Sequence, residues 1–412
     1  MDNIYISSPM ITSIINTLFY LVTLLAYYIS HKRLDLYFVL VSAYSTVALF
    51  GTYDFAIGLF ENEYDMSIFR LFYLFAIVMI CLKPYRGIQF NCNNTNIIKN
   101  GYITLLSYFY ILCGLLCIYY TLPKAIMLQT AGDWGSLRND IYAGESSVTL
   151  YDSQLERLVK NCYSYLSPFG GIITFYQLTK PKINKILTLL LFGIWFVNAY
   201  ASATLVASRG MIMMLAMKVI VLYFIFKNII PDSRKKYLAI IAVIVAVLFG
   251  IYTMAVTESR FGDESNDSLL MYFGHSMYAF NDGIMRTMHD YAEGRYQFGW
   301  LYRAFGLNSD FNWQALGCTH GTAFMTFVGN LYVDFGPIVT PFAAILMSVF
   351  VSHFTRKTIF KLSDLVVISF TATWFAEGIF VFAGDQSLQW LMVLFVYYII
   401  KHLECKDINQ SL

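Results

Sequence analysis

Long apolar stretches separated by polar segments dominate the hydrophobic pattern of this chain. A helix that crosses a bilayer needs about 20 mainly apolar residues, and eleven stretches fit or nearly fit that length. They are 9–30, 36–53, 68–82, 101–122, 161–179, 186–207, 211–226, 238–256, 337–354, 364–383 and 388–402. The pattern predicts an all-α integral membrane protein of about eleven transmembrane helices, forming a single polytopic domain over residues 1–412.

The composition supports this prediction and limits the partners. The chain is 58% hydrophobic and 13% charged, whereas soluble domains are about 45–50% apolar and ~25% charged. We therefore expect membrane lipids around the protein. The formal net charge is only +2, and no glycine-rich phosphate-binding loop is present, so neither nucleic acid nor nucleotide is an expected partner.

Lysines and arginines are unevenly distributed between alternate polar segments. If the amino terminus lies outside, most of the 28 basic residues fall in the inner segments. The positive-inside rule therefore predicts an external amino terminus and an internal carboxyl terminus. Two long polar segments then lie outside, a first loop over 123–160 and a second over 257–336. Long loops of ordinary composition are usually functional, so we expect the chemistry on this side.

The outer basic residues are mostly arginines, whereas the inner ones are mostly lysines. Membrane orientation needs no such bias, but arginine binds phosphate through two parallel hydrogen bonds and stays charged when partly desolvated. The bias favours a site for the diphosphate group of a lipid-linked substrate. The alternative is that these arginines pair with the external acids. The candidates are Arg70, Arg138, Arg209, Arg260, Arg286, Arg295 and Arg303.

Arg209 is the most distinctive candidate because it stands in a Ser-Arg-Gly sequence between two apolar stretches. The pattern predicts a tight turn at the outer membrane boundary, and the alternative is a plain hairpin with a snorkelling arginine. Arg260 follows the next outward helix and should emerge at the same depth. Glu258 and Asp263 flank it as a base or an ion-pair partner. Arg138 would reach over from the first loop.

Metal chemistry is not expected, because neither the cysteines nor the external histidines have the spacing of a metal site. Among those histidines, His320 is the best placed, just before the chain re-enters the membrane. The second loop is rich in aromatic residues, including Trp300. They could stack on sugar rings or form the interfacial belt of aromatic residues, and the sequence leaves both interpretations open.

The order of several short motifs resembles the Wzy family, the oligosaccharide repeat-unit polymerases of bacterial O-antigen and capsule assembly. In this order the chain also resembles the enterobacterial common antigen polymerase branch. The motifs are Ser-Arg-Gly at 208–210, Arg-Phe-Gly at 260–262, His-Gly at 320–321 and Gly-Asn-Leu-Tyr-Val-Asp-Phe-Gly at 329–336. An Arg-x10-Gly spacing known in some members also occurs between Arg295 and Gly306.

The resemblance implies a GT-C-like polytopic glycosyltransferase in the bacterial inner membrane, with its active site facing the periplasm and no cofactor. Such an enzyme joins oligosaccharide repeat units carried on undecaprenyl diphosphate and releases that lipid. A separate membrane protein usually regulates chain length. The substrate is then both donor and acceptor.

The resemblance also suggests roles for the candidate residues. Arg138, Arg209 and Arg260 would hold the diphosphate, and Arg260 would stabilise the charge that develops as it leaves. Glu258, or alternatively His320, would deprotonate the acceptor hydroxyl. Further glycan or lipid contacts are expected from Arg70, Arg286, Arg295, Arg303 and Trp300.

Two other functions fit the same pattern. An O-antigen ligase would pass the glycan to lipid A core instead of to another repeat unit. A flippase for lipid-linked oligosaccharides would move its substrate without reaction, although transporters often contain two repeated halves and no repeat is visible in this sequence.

Overall fold

The computed structural model describes residues 8–60, 64–91, 95–96, 101–131, 152–206, 208–261, 265–318, 325–380 and 386–410. These residues form an all-α protein with one minimal parallel strand pair, β1 (Thr95–Asn96) and β2 (Phe360–Lys361). The first helices are α1 (Ser8–His31), α2 (Leu36–Ala56), α3 (Ile68–Leu82), α4 (Gly101–Ala131), α5 (Gln154–Thr179), α6 (Lys185–Leu205) and α7 (Arg209–Phe226). They are followed by α8 (Asp232–Phe261), α9 (Ser265–Ala279), α10 (Arg295–Ala304), α11 (Thr326–Thr355), α12 (Leu362–Glu377) and α13 (Gln386–Gln410).

Each of the eleven predicted apolar stretches coincides with a helix or overlaps one. Within the described residues, seven helices are long and apolar enough to cross a membrane, namely α1, α2, α3, α4, α6, α7 and α11. The protein is therefore a membrane-embedded helical protein. Eleven crossings stay a prediction for the other four helices, α5, α8, α12 and α13, and so does the orientation.

The described parts of the two predicted long loops contain more helix than the sequence pattern indicated. In the first, α4 continues through Pro123 to Ala131, and α5 begins at Gln154. In the second, α8 runs on to Phe261, and α11 begins at Thr326, well before the predicted start at 337. The apolar pattern missed this first part of α11 because it contains Asn330 and Asp334.

The chain divides into two compact units, whereas the sequence pattern predicted one domain over residues 1–412. Unit 1 comprises Met1–Gln89, Asn266–Lys357 and Thr371–Leu391, and unit 2 comprises Phe90–Ser265, Thr358–Phe370 and Met392–Leu412. In unit 1, α1 packs on α2, and α3 packs on α11. In unit 2, α4 packs against α5 and α6, and α7 packs against α5.

In unit 1, α2 and α9 cross at a pair of glycines. A Cβ atom added to Gly274 would lie 2.6 Å from Cα of Gly51 and 2.1 Å from a carboxylate oxygen of Asp54. Next to this crossing, the hydroxyl of Tyr278 lies 2.6 Å from that of Ser13. Because neither glycine carries a side chain, the two backbones approach closely enough to bury this polar contact.

In unit 2, tyrosines and an asparagine join the packed helices. The hydroxyls of Tyr110 and Tyr163 lie 2.7 Å apart, and the amide of Asn198 donates to the carbonyl of Gly114 at 3.1 Å. Both contacts are buried. Buried polar groups need such partners because water is absent there, so the contacts fix which faces of α4, α5 and α6 meet.

Candidate functional site

Unit 1 contains an open cavity of about 470 Å³ between α10 and the segment that follows it. The cavity is lined by Arg295, Tyr296, Arg303, Ser309, Asp310, Phe311 and Trp313. We call it the α10 cavity. It brings together two of the arginines that the sequence selected and three of the aromatic residues of the second loop.

Three aromatic rings form one wall of the α10 cavity. The ring of Trp313 lies 5.2 Å from that of Tyr296 and 5.0 Å from that of Phe311, with the planes steeply inclined. Edge-to-face packing of this kind holds the rings in fixed orientations. Burial, with a smaller contribution from the charge of Asp334, raises the pKa of the Tyr296 phenol above its ordinary range. Tyr296 therefore stays neutral, and the wall is uncharged.

The charged side chains of the cavity differ in whether they already form ion pairs or hydrogen bonds. Arg295 forms an ion pair with Glu293 at 3.1 Å, and Arg303 lies 3.4 Å from the hydroxyl of Ser309. The carboxylate of Asp310 is exposed and has no hydrogen bond or ion pair with any residue that the structure describes. The cavity thus offers cationic donors, one available carboxylate and a wall of aromatic rings.

Asp334 on α11 fixes the start of α10. Its two carboxylate oxygens accept the backbone N–H groups of Tyr296 at 3.0 Å and Gln297 at 2.8 Å. The first N–H groups of a helix have no partner within the helix, and the residue that precedes α10 is Gly294, which has no side chain to supply one. A carboxylate from another helix therefore caps α10 and sets the position of its arginines.

Trp300, a predicted glycan contact, serves to attach α10 to α13. Its indole N–H donates to the hydroxyl of Ser387 at 2.8 Å, and that hydroxyl donates to the carbonyl of Gln297. The only donor of the indole is engaged in this bond. The aromatic residues that line the cavity are Tyr296, Phe311 and Trp313 instead.

Arg70 and Arg286 belong to a separate ion-pair cluster in unit 1. Arg286 pairs with Asp282 and lies 3.8 Å from Asp65, and Arg70 lies 3.5 Å from Asp65. Arg70 also donates to the carbonyl of Asn281 at 2.9 Å. These two arginines therefore pair with acidic side chains, which is the alternative to phosphate binding. Some of their hydrogen-bond donors are already used by these partners.

A π-helical turn, Phe280–Ile284, follows α9 and explains this cluster. Single π-turns are uncommon and often occur at functional positions. Here the turn buries Asn281 and Asp282 completely. Their side chains accept the backbone N–H groups of Ser67 at 3.1 Å and Asp65 at 3.3 Å. The sequence analysis missed both residues, because no local pattern marks a π-turn.

Arg209 is not in an exposed turn. It is the first residue of α7, and only 6% of its surface is accessible. One guanidinium nitrogen donates to the hydroxyl of Thr257 on α8 at 2.9 Å, and that hydroxyl donates to the carbonyl of Thr253 at 2.6 Å. Only three residues separate the end of α6 at Leu205 from the start of α7 at Arg209, so the short connection is present, but Arg209 belongs to the helix and not to the turn. The contact with Thr257 places Arg209 beside the last turns of α8, the helix that contains Arg260.

The other predicted site residues of unit 2 lie at the end of α8. Glu258 is exposed and follows Thr257 directly, and the backbone of Arg260 lies one helical turn beyond Thr257. The side chain of Arg260, and all of Arg138 and His320, lie outside the residues that the structure describes. Their roles stay predictions. No group of three or more metal-ligating side chains occurs in the described part of the chain.

Two aspartates of the cavity region escaped the sequence analysis as site residues. Asp334 stands inside the motif at 329–336, but nothing in that motif shows that its carboxylate caps a helix 38 residues earlier in the chain. In the sequence, Asp310 is marked as a possible site residue only by its position just before the aromatic residues Phe311 and Trp313.

Comparisons with known proteins give no further assignment. No protein-family model, no curated protein and no solved structure matches this chain.

Proposed function

We propose that this protein is a membrane glycosyltransferase that joins oligosaccharide repeat units carried on a lipid diphosphate, at the periplasmic face of the bacterial inner membrane. The observation that carries the proposal is the α10 cavity. It combines Arg295 and Arg303 with a wall of aromatic rings, in a chain rich in apolar helices.

The two features of the cavity suit two parts of a glycan substrate. The apolar C–H face of a sugar ring packs well on an aromatic face, and arginine binds carboxylate or phosphate oxygens with defined geometry. The undecaprenyl chain would lie in the bilayer that the apolar helices cross. We assign the α10 cavity to the glycan. The diphosphate role of Arg209, Arg260 and Arg138 is a separate prediction for unit 2.

In the proposed reaction the reducing-end sugar of a growing chain is transferred to the non-reducing end of a new repeat unit. Undecaprenyl diphosphate leaves, and fixed guanidinium groups would stabilise the charge that develops on it. Arg209 supports this role because its guanidinium is already held in place by Thr257. Partly buried, preorganised donors stabilise such charge better than solvated ones.

The test uses purified protein in detergent with a lipid-diphosphate-linked repeat unit, without nucleotide sugar or metal, and separates the products by size. We expect a ladder of added repeats. Trp313→Ala should weaken the ladder at least tenfold, because it removes part of the aromatic wall. Arg157→Ala is the control, since Arg157 is an exposed arginine of unit 2 outside the proposed site.

The same assay separates the alternatives. Transfer to a lipid A core acceptor without a ladder would assign a ligase. Saturable binding of the lipid-linked substrate without any transfer would favour the flippase and exclude the polymerase.

Arg209 is tested by two substitutions in the same assay. Arg209→Ala should lower the initial rate by about 100-fold, as removal of one charge-stabilising donor typically does, and Arg209→Lys should retain more activity because the charge remains. Size-exclusion profiles must match the wild type, because Arg209 is buried. A loss of only a few-fold in Arg209→Ala would remove this residue from the mechanism.

A further inference from the structure

We propose that Asp310 is the base that deprotonates the acceptor hydroxyl, which rests on the proposed transfer reaction. Among the described residues, it is the one carboxylate that lines the α10 cavity. An exposed carboxylate without a hydrogen-bond or ion-pair partner among those residues is free to accept a proton. The sequence had favoured Glu258 or His320 for this step.

The end of α10 brings Asp310 back to the cavity. Gly306 adopts a positive φ of 69°, and the N–H of Leu307 donates to the carbonyl of Tyr302 at 2.8 Å. A residue with positive φ just after a helix reverses the chain. The segment from Leu307 onwards therefore returns alongside α10, and Asp310 lines the same cavity as Arg303 and Arg295.

Two side-chain caps hold this returning segment in shape. The side-chain oxygen of Asn308 accepts the N–H of Asp310 at 2.8 Å, and that of Asn312 accepts the N–H of Gln314 at 2.9 Å. Asparagine stabilises turns by such bonds. The backbone of Asp310 is thus fixed while its carboxylate stays available, as a base that must meet a substrate requires.

The chemical step balances without any further reactant. The acceptor hydroxyl oxygen forms a bond to the anomeric carbon of the donor sugar, and the bond from that carbon to the diphosphate oxygen breaks with its electron pair. The hydroxyl proton passes to the Asp310 carboxylate and then to water. Such a single displacement inverts the anomeric carbon.

The other carboxylate that the sequence selected occupies a different environment. Glu258 lies near the end of α8 in unit 2, and it is not among the residues that line the α10 cavity. Arg303 and Trp313 therefore support Asp310 rather than Glu258 as the group that meets the acceptor sugar.

The experiment compares the wild type, Asp310→Ala, Asp310→Asn and the control Asp290→Asn in the ladder assay. Asp290 is an exposed aspartate of the same unit whose side chain bonds to the following N–H. The affinity for a free repeat-unit oligosaccharide, without lipid, is measured in parallel from tryptophan fluorescence. Folding is checked by the unfolding temperature in detergent.

We expect the two Asp310 variants to lose transfer at least ~100-fold, the usual range for a general base, while saccharide affinity changes less than about threefold. Sodium formate should partly restore transfer by Asp310→Ala, because a small carboxylate can occupy the vacated space and take the proton. Asp290→Asn should behave as the wild type. A merely structural role of Asp310 would not give rescue by formate.

Each other outcome overturns a specific claim. Transfer by Asp310→Asn within threefold of the wild type, or equal losses of binding and transfer without rescue, would refute the base. A product that retains the donor's anomeric configuration would also refute it. If the wild type binds the saccharide but transfers it to no acceptor, the proposed function itself fails, and the base assignment fails with it.

Discussion

Arg209 shows that the sequence can single out a residue without showing what surrounds it in the structure. In the sequence this arginine stands between two apolar stretches, a pattern that predicts a tight turn at the outer membrane boundary. In the structure this arginine is buried at the start of α7 and bonded to Thr257. The reason is that the backbone of an arginine can begin a helix while its long side chain reaches a hydroxyl on the neighbouring helix. Arg70 and Arg286 show the same limit, because each also has a contact that is distant in sequence. Arg286 lies 3.8 Å from Asp65, and Arg70 donates to the carbonyl of Asn281.

The thiol of Cys318 gives a prediction for a single residue, the pH dependence of its alkylation rate. Burial raises the pKa of its thiol to about 11, from an ordinary value of 9.0. Only the thiolate reacts with iodoacetamide. In a variant that keeps Cys318 as its single cysteine, the alkylation rate should therefore still rise about tenfold per pH unit between pH 8 and pH 10.

The measurement is alkylation under conditions in which the protein stays folded, with a denatured sample as the control. The denatured sample should level off above pH 9, because its thiol titrates normally. A rate that levels off near pH 9 in the folded protein as well would show that Cys318 is not shielded.

At the scale of elements, α10 depends on a carboxylate from another helix. Asp334 accepts two N–H groups at the first turn of α10, and loss of a helix cap typically costs about 1–2 kcal/mol. We expect Asp334→Ala to increase hydrogen exchange of the amides of residues 296–298 by roughly tenfold or more. Saccharide affinity should also fall, because Arg295 and Arg303 lose their fixed positions.

Asp334→Asn should give a smaller effect, since its single amide oxygen can still accept one of the two bonds. Asp290→Ala serves as the control for loss of a carboxylate. Unchanged exchange at residues 296–298 in Asp334→Ala would show that α10 is held by other contacts.

The close crossing of α2 and α9 predicts that a larger residue at Gly274 destabilises the protein. In Gly274→Ala the new methyl group would lie within 2.6 Å of the Gly51 backbone, so the helices must separate. We expect a loss of at least about 2 kcal/mol in unfolding free energy, as overpacking against backbone is strongly destabilising. The measurement is thermal or denaturant unfolding in detergent.

Gly193 provides a matched control because it is also a helical glycine, and a Cβ atom added to it meets nothing within 4 Å. Gly193→Ala should be neutral or stabilising by up to about 1 kcal/mol, since alanine favours a helix more than glycine does. Equal effects of the two substitutions would contradict the close crossing.

At the scale of the whole molecule, the orientation in the membrane can be tested with two introduced cysteines. The inner-lysine pattern predicts Asn312 outside and Lys236 inside, and both side chains are exposed. In a cysteine-free background, a membrane-impermeant maleimide should label Asn312→Cys in intact spheroplasts. It should label Lys236→Cys only after permeabilisation. The reverse pattern would overturn the predicted orientation and place the α10 cavity on the other side.

The motif comparison illustrates what a spacing can and cannot show. The Arg-x10-Gly spacing corresponds to α10 in the structure: Arg295 is its first residue, and Gly306 reverses the chain just after its end. The spacing therefore has a structural basis, the length of one short helix. It does not by itself reveal that Asp310 returns to the same cavity, because that depends on the turn geometry after Gly306.

The hydrophobic pattern was enough to predict an all-α membrane protein and the positions of most of its helices. The stretch 68–82, for example, matches α3 at both ends. Hydrophobicity is a local property, so a run of apolar residues predicts a helix without knowledge of its neighbours. The sequence also pointed to the arginines, because residue type alone shows which side chains can bind phosphate.

The packing of the helices was needed to show what holds α10 in place, which aromatic rings form the cavity wall and which carboxylate is available. These depend on contacts between residues far apart in the chain, such as Asp334 with Tyr296 or Trp300 with Ser387. No periodicity encodes them, because side-chain contacts between helices depend on how those helices pack.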